Sequence, residues 1–126
     1  TKTDTATVDV GGDLKGVAVD PDTHTVYVTN GSDDTVSVID GKTNSVTATV
    51  PVGKGANGVA VDPGTHTVYV TNTNDDTVSV IDGSTNTVTD TLDVGRWPNS
   101  VAVDPGTHTV YVTNNSDDTV SVIERP

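Results

Sequence analysis

Apolar and polar residues alternate in short runs: Val17-Ala18-Val19, Val26-Tyr27-Val28-Thr29, Thr35-Val36-Ser37-Val38-Ile39 and Val46-Thr47-Ala48-Thr49-Val50. A period of two in β-branched residues predicts strands that bury one face. The runs are separated by Asp20-Pro21-Asp22, Asn30-Gly31-Ser32-Asp33-Asp34 and Asp40-Gly41-Lys42-Thr43-Asn44. Pro presets the second position of a type I turn, while Asn, Asp and Gly tolerate positive φ or form Asx turns. Nothing has helical spacing, so the pattern predicts a meander of four antiparallel strands.

That meander recurs. Val17, Val59 and Val101 lie 42 residues apart, as do Tyr27, Tyr69 and Tyr111, and three such periods account for all 126 residues. Residues 16–41 and 58–83 agree at 23 of 26 positions. A fixed period of this size marks a repeat architecture, in which each unit buries its sheet faces only against its neighbours. The predicted fold is all-β, with propeller blades of four antiparallel strands. The units are residues 16–57, 58–99 and 100–126, the last without a fourth strand, and residues 1–15 are read as a strand plus a loop. Copies this alike point to recent amplification or to design.

Composition alone pulls the other way, because a net charge of -12, one Trp and no Phe or Met lean toward disorder. Valine reverses the balance: Val, Ile and Leu make up 30 of 126 residues, above the roughly 20% floor for folded chains.

The chain resembles the YVTN β-propeller repeats of bacterial and archaeal surface-layer-type and periplasmic proteins. The resemblance rests on Tyr27-Val28-Thr29-Asn30 and its copies at residues 69–72 and 111–114. It is reinforced by "GVAVDP" before, "TVSVID" after and a closing "VG". It implies a propeller and an extracytoplasmic or cell-surface setting for natural relatives. It carries no catalytic residues, and family propellers usually close with more than three blades. The chain itself leaves the compartment open, having no cysteine, signal peptide or membrane-spanning run, and starting without Met is read as processing or cropping.

Three blades leave two Val-rich faces and unpaired strand edges exposed, a combination that predicts an interface. The run Thr5-Ala6-Thr7-Val8-Asp9-Val10 matches the fourth strand of the other copies and is expected to complete the last blade of a neighbouring chain. The expected closure is a head-to-tail ring of identical chains, nine blades as a homotrimer or six as a homodimer. Thin Val, Ala, Ser and Thr filling favours the trimer slightly.

The candidate chemistry is sparse. His24, His66 and His108 recur in "DPxTHT" turns and are expected to face solvent, with no metal site, because turns on separate blades diverge. Asp33-Asp34, Asp75-Asp76 and Asp117-Asp118 lack an EF-hand spacing and are expected to stabilise turns and solubility. What differs between copies is the loop Gly12-Asp13-Leu14-Lys15, with its counterparts at residues 54–57 and 96–99. There Arg96 and Trp97 form the one unique recognition-type pair, a candidate ligand-binding site. The expected function is a structural, self-assembling scaffold with neither catalytic activity nor cofactor. The alternative is a module that binds a small ligand or a protein through its channel-mouth loops. The negative charge argues against nucleic acid and anionic membranes as partners.

Overall fold

The computed structural model describes residues 5–125. Residues 1–4 of the segment 1–15 and Pro126 of the third unit lie outside them.

Among the described residues eleven strands run in chain order: β1 (Leu14–Asp20), β2 (Thr25–Asn30), β3 (Thr35–Asp40), β4 (Ser45–Pro51), β5 (Ala56–Asp62), β6 (Thr67–Asn72), β7 (Thr77–Asp82), β8 (Thr87–Asp93), β9 (Pro98–Asp104), β10 (Thr109–Asn114) and β11 (Thr119–Glu124). They form the antiparallel sheets β1-β2-β3-β4, β5-β6-β7-β8 and β9-β10-β11, as the alternation predicts. The first strand of each sheet is longer than the Val-Ala-Val run alone suggests, because an irregularity before Val17, and equally before Val59, admits extra residues at the inner end. Hairpin loops end in left-handed residues such as His24, Asp34 and Asn44, with φ near 57°, which closes a four-residue turn without lengthening it.

The Asn of each YVTN run is a brace. Asn72 Nδ2 donates to Thr77 Oγ1 at 3.1 Å and Ser79 Oγ at 2.8 Å, and its Oδ1 accepts from Gly53 N at 3.1 Å. One buried amide thus ties β6 to β7 and to the lead-in from the preceding blade. Asn114 repeats this arrangement around Gly95.

Register assigns each sheet two faces. Tyr27 lies opposite Ala18 on β1 and Val38 on β3, so these share the face turned to the next blade. There Tyr27, Val36, Val38 and Val50 pack on Val68, Val70 and Ile81 of the second blade. The next junction repeats the pattern, with Tyr69, Val78 and Val80 against Val110 and Val112. β-Branched side chains stacked between sheets fill space at crystal-like density. The inner strands come closest: a Cβ at Gly16 would sit 2.9 Å from Asn57 O, and one at Gly58 would run into Asn99 O.

Residues 5–10 form no strand within the single chain. Even so, Asp9, Val10 and Gly11 border a hollow on the first blade, beside Thr35, Ser37 and Thr49. Pro51, Val52 and Gly53 border its equivalent on the second, beside Thr77, Ser79 and Thr91.

Candidate functional site

The "DPxTHT" turns do more than face solvent. Asp20 is 1% exposed; its Oδ1 accepts from Asp22 N at 3.1 Å within the turn, and its Oδ2 meets His66 Nδ1 of the next blade at 2.7 Å. Asp62 and His108 repeat the contact at 2.6 Å. The hydrogen bond that the imidazole donates to Asp20 raises the pKa of His66 above its usual 6.5, against a smaller opposing effect of desolvation. Two of the three histidines are therefore inter-blade ties, contrary to the sequence expectation. His24 alone is the exposed turn residue foreseen, and Asp104, the counterpart of Asp20 and Asp62, is exposed as well.

The acidic pairs are also junction elements. The first Asp of a pair holds its own blade's lead-in loop: Asp75 Oδ2 accepts from Lys54 N, and Asp117 Oδ2 from Arg96 N, both at 2.9 Å. The second reaches across: Asp34 Oδ1 accepts from Gly55 N, and Asp76 Oδ1 from Trp97 N, both at 3.0 Å. Near the axis, Thr29 Oγ1 donates to Asn57 O at 2.6 Å and Thr71 Oγ1 to Asn99 O at 2.7 Å. The hydroxyl of Tyr27 lies over Gly83 of the next blade. Burial, with Asp20 and Asp82 nearby, pushes the Tyr27 pKa above the usual 10 and keeps the phenol neutral. Among the described residues no group of three His, Asp or Glu side chains converges as a metal site would need.

The expected pair Arg96-Trp97 is divided. Both residues are exposed at the opposite end of the blades from the histidine turns. Trp97 lines a cavity of about 320 Å³ with Asp13, Lys15, Asn57 and Thr73, whereas Arg96 is not part of its lining. Sequence reading missed the contribution of the β2–β3 turn and its counterparts β6–β7 and β10–β11, which vary at Gly31, Thr73 and Asn115; that variation was the available signal.

The family described as "Lactonase, 7-bladed beta-propeller" matches residues 17–126. Curated proteins give no match. Among solved structures, the hydrazine synthase of Kuenenia stuttgartiensis is similar at 29% identity and a TM-score of 0.82, over 98% of this chain and 36% of that one. The WD40 β-propeller domain of Doa1 is similar at 16% identity and a TM-score of 0.76, over 90% of this chain and 37% of that one. The chain spans little more than a third of the length of these structures, and the second likeness speaks for the fold alone.

Proposed function

This chain belongs to the Lactonase, 7-bladed beta-propeller family, and on that premise we propose that it is a structural propeller segment whose two end faces are mates. Its partner is another copy of itself, and a closed ring is its product. One contrast carries the reading. Tyr27 and Tyr69 are 2% exposed and Val36 and Val78 are 0% exposed, yet their counterparts Tyr111 and Val120 on the third blade are 43% and 56% exposed. Val17 and Val19 on the outer face of the first blade are 69% and 52% exposed. Each end face has a near-identical twin that is already seated on its complement inside the chain.

The polar ties are stranded in matching fashion. His24 would meet Asp104, Thr113 Oγ1 would reach Lys15 O, and Asp118 would accept from Asp13 N of the adjoining copy. Asn30 Oδ1 is buried without a hydrogen-bond partner, whereas Asn72 and Asn114 each receive a lead-in glycine. Pairing of residues 5–10 along the free edge of β11 would draw Gly11 N onto that oxygen. Exposed apolar faces and open strand edges are the usual drivers of such association.

The thin Val, Ala, Ser and Thr filling supports three copies ahead of two. Catalysis has no part in this reading: the imidazoles of His66 and His108 are engaged with Asp20 and Asp62 of the preceding blade, Asp34 and Asp76 reach across their junctions, and Asp33, Asp75 and Asp117 hold lead-in loops. Net charge of -12 disfavours nucleic acid and anionic membranes as partners. Native mass spectrometry is the test: two or three times 12.9 kDa is expected, and a strictly monomeric protein at micromolar concentration would refute the proposal. Turnover of a lactone panel, lost on His66→Gln, would overturn its non-catalytic part.

A further inference from the structure

The three copies all differ from one another at only five positions. Four of the five cluster in space: Gly12, Asp13 and Leu14 with their counterparts in the lead-in loops, and Gly31, Thr73 and Asn115 in the β2–β3, β6–β7 and β10–β11 turns. Backbone hydrogen bonds join the two loops in every blade, from Gly31 N to Asp13 O at 2.9 Å, Thr73 N to Gly55 O at 3.0 Å and Asn115 N to Trp97 O at 2.9 Å. Of the 42 repeat positions, 25 are identical in all three copies, and these include the whole YVTN run. The 320 Å³ cavity opens within the rim of these varying loops, walled by Asp13 and Lys15 of the first blade, Asn57 and Asn74 of the second and Trp97 of the third. Its size is at the small end of the roughly 300–1,000 Å³ typical of small-molecule sites.

Trp97 stands out for its cost. It occupies left-handed backbone at φ 58°, where the second copy has Gly55 at φ 75°. A bulky residue is disfavoured there by contact of its Cβ with the backbone, a penalty glycine escapes. Burial does not offset this, since Trp97 is 48% exposed. An indole held in strained backbone at the edge of a cavity offers a flat apolar surface to whatever enters.

The polar groups beside it are partly spent. Thr73 Oγ1 donates to Pro98 O at 2.7 Å. Asn57 Nδ2 donates to Asn99 Oδ1 at 3.0 Å and to Thr73 Oγ1 at 3.3 Å, which leaves its Oδ1 to accept. The Asn74 side-chain amide makes no hydrogen bond among the described residues. Lys15 Nζ and Asp13 Oδ1 lie 3.6 Å apart, neutralising each other while keeping donors and an acceptor in reserve. The cavity therefore combines an aromatic face, free donors and acceptors together, and no net charge of its own. The overall charge of -12 repels anions from its mouth.

We propose that this cavity is a binding site for a neutral sugar, with one ring stacked on Trp97 and its hydroxyls shared among Asn57, Asn74, Lys15 and Asp13. The site is complete within one chain and does not rest on ring formation. Trp97 is the chain's one tryptophan, so its fluorescence reports occupancy directly. The experiment titrates the protein with glucose, galactose, mannose, N-acetylglucosamine and maltose, with glucuronate as the anionic comparison, by fluorescence and by calorimetry. Saturable binding of at least one neutral sugar with a Kd of about 1 mM or tighter is expected. Trp97→Gly should weaken it roughly tenfold or more by calorimetry, and Lys15→Asn, which installs the residue of the other two copies, should weaken it by a smaller factor. Neither substitution should shift native mass. The Lys15→Asn side chain is on the surface, so its result decides the matter even if Trp97→Gly lowers the melting temperature. Absence of saturation up to about 50 mM, equal affinity in both variants, or a preference for glucuronate would overturn the proposal.

Discussion

His66 Nδ1 reaches across a blade junction to Asp20 Oδ2 at 2.7 Å, and that carboxylate is almost wholly shielded from water while the imidazole stays partly exposed. Asp20 simultaneously closes its own turn through Asp22 N, so one side chain serves local and inter-blade structure. Asp20→Ala would orphan both partners and should cost about 1 to 3 kcal/mol, measured as a lower denaturant midpoint at unchanged m-value.

The same pair sets a pH dependence. The hydrogen bond to Asp20 raises the folded-state pKa of His66 above 6.5, so the folded protein holds this proton more tightly than the unfolded chain does. The resulting stabilisation is fully present below about pH 6.5 and is lost as pH rises through the raised folded value. NMR titration of His66 should show the raised value, and Asp20→Asn should return it toward 6.5. A stability profile that instead rises with pH through this window, and does so through His66, would contradict the assignment.

Identical valines should behave differently according to blade. Val38 and Val80 are 2% and 1% exposed, whereas Val122 is 57% exposed. Val38→Ala and Val80→Ala should each cost about 2 kcal/mol through lost burial and a residual cavity. Val122→Ala should leave the fold of the single chain unchanged and weaken association, read by comparing melting curves and mass across a dilution series.

In the proposed ring, Ser100 would work against closure. At Gly16 and Gly58 the absence of a Cβ lets the next inner strand approach, whereas Ser100 would turn a Cβ toward the carbonyl of Lys15 in an adjoining copy. Ser100→Gly should therefore tighten the ring, roughly tenfold in dissociation constant, by analytical ultracentrifugation. An unchanged or weaker assembly would show that copies meet in some other way.

Removing residues 1–10 tests the exchanged strand. The three sheets have their hydrogen bonds without it, so the truncated chain should keep its β-type circular dichroism and lose its oligomeric mass. Retention of full mass would refute strand exchange.

Period and alternation in the sequence determined the strands, their order within each sheet and the repeat, because strand pairing between consecutive runs is a local consequence of turn chemistry and a two-residue period. The YVTN run was legible as a motif, but the function of its Asn as a brace was not. The inter-blade ties of His66, His108, Asp34 and Asp76 were not legible for the same reason: their partners are about half a repeat or a full repeat away, Asp34 with Gly55 and His66 with Asp20, and no local pattern encodes which group a neighbouring blade presents. Likewise, Arg96 and Trp97 are adjacent in the chain yet part company at the cavity, where Trp97 joins Lys15 and Asn57 from other blades. Local structure follows from neighbours along the chain, whereas junctions and cavities follow from how rigid sheets stack, and that stacking was decided only by the packing of one Val-rich face on the next.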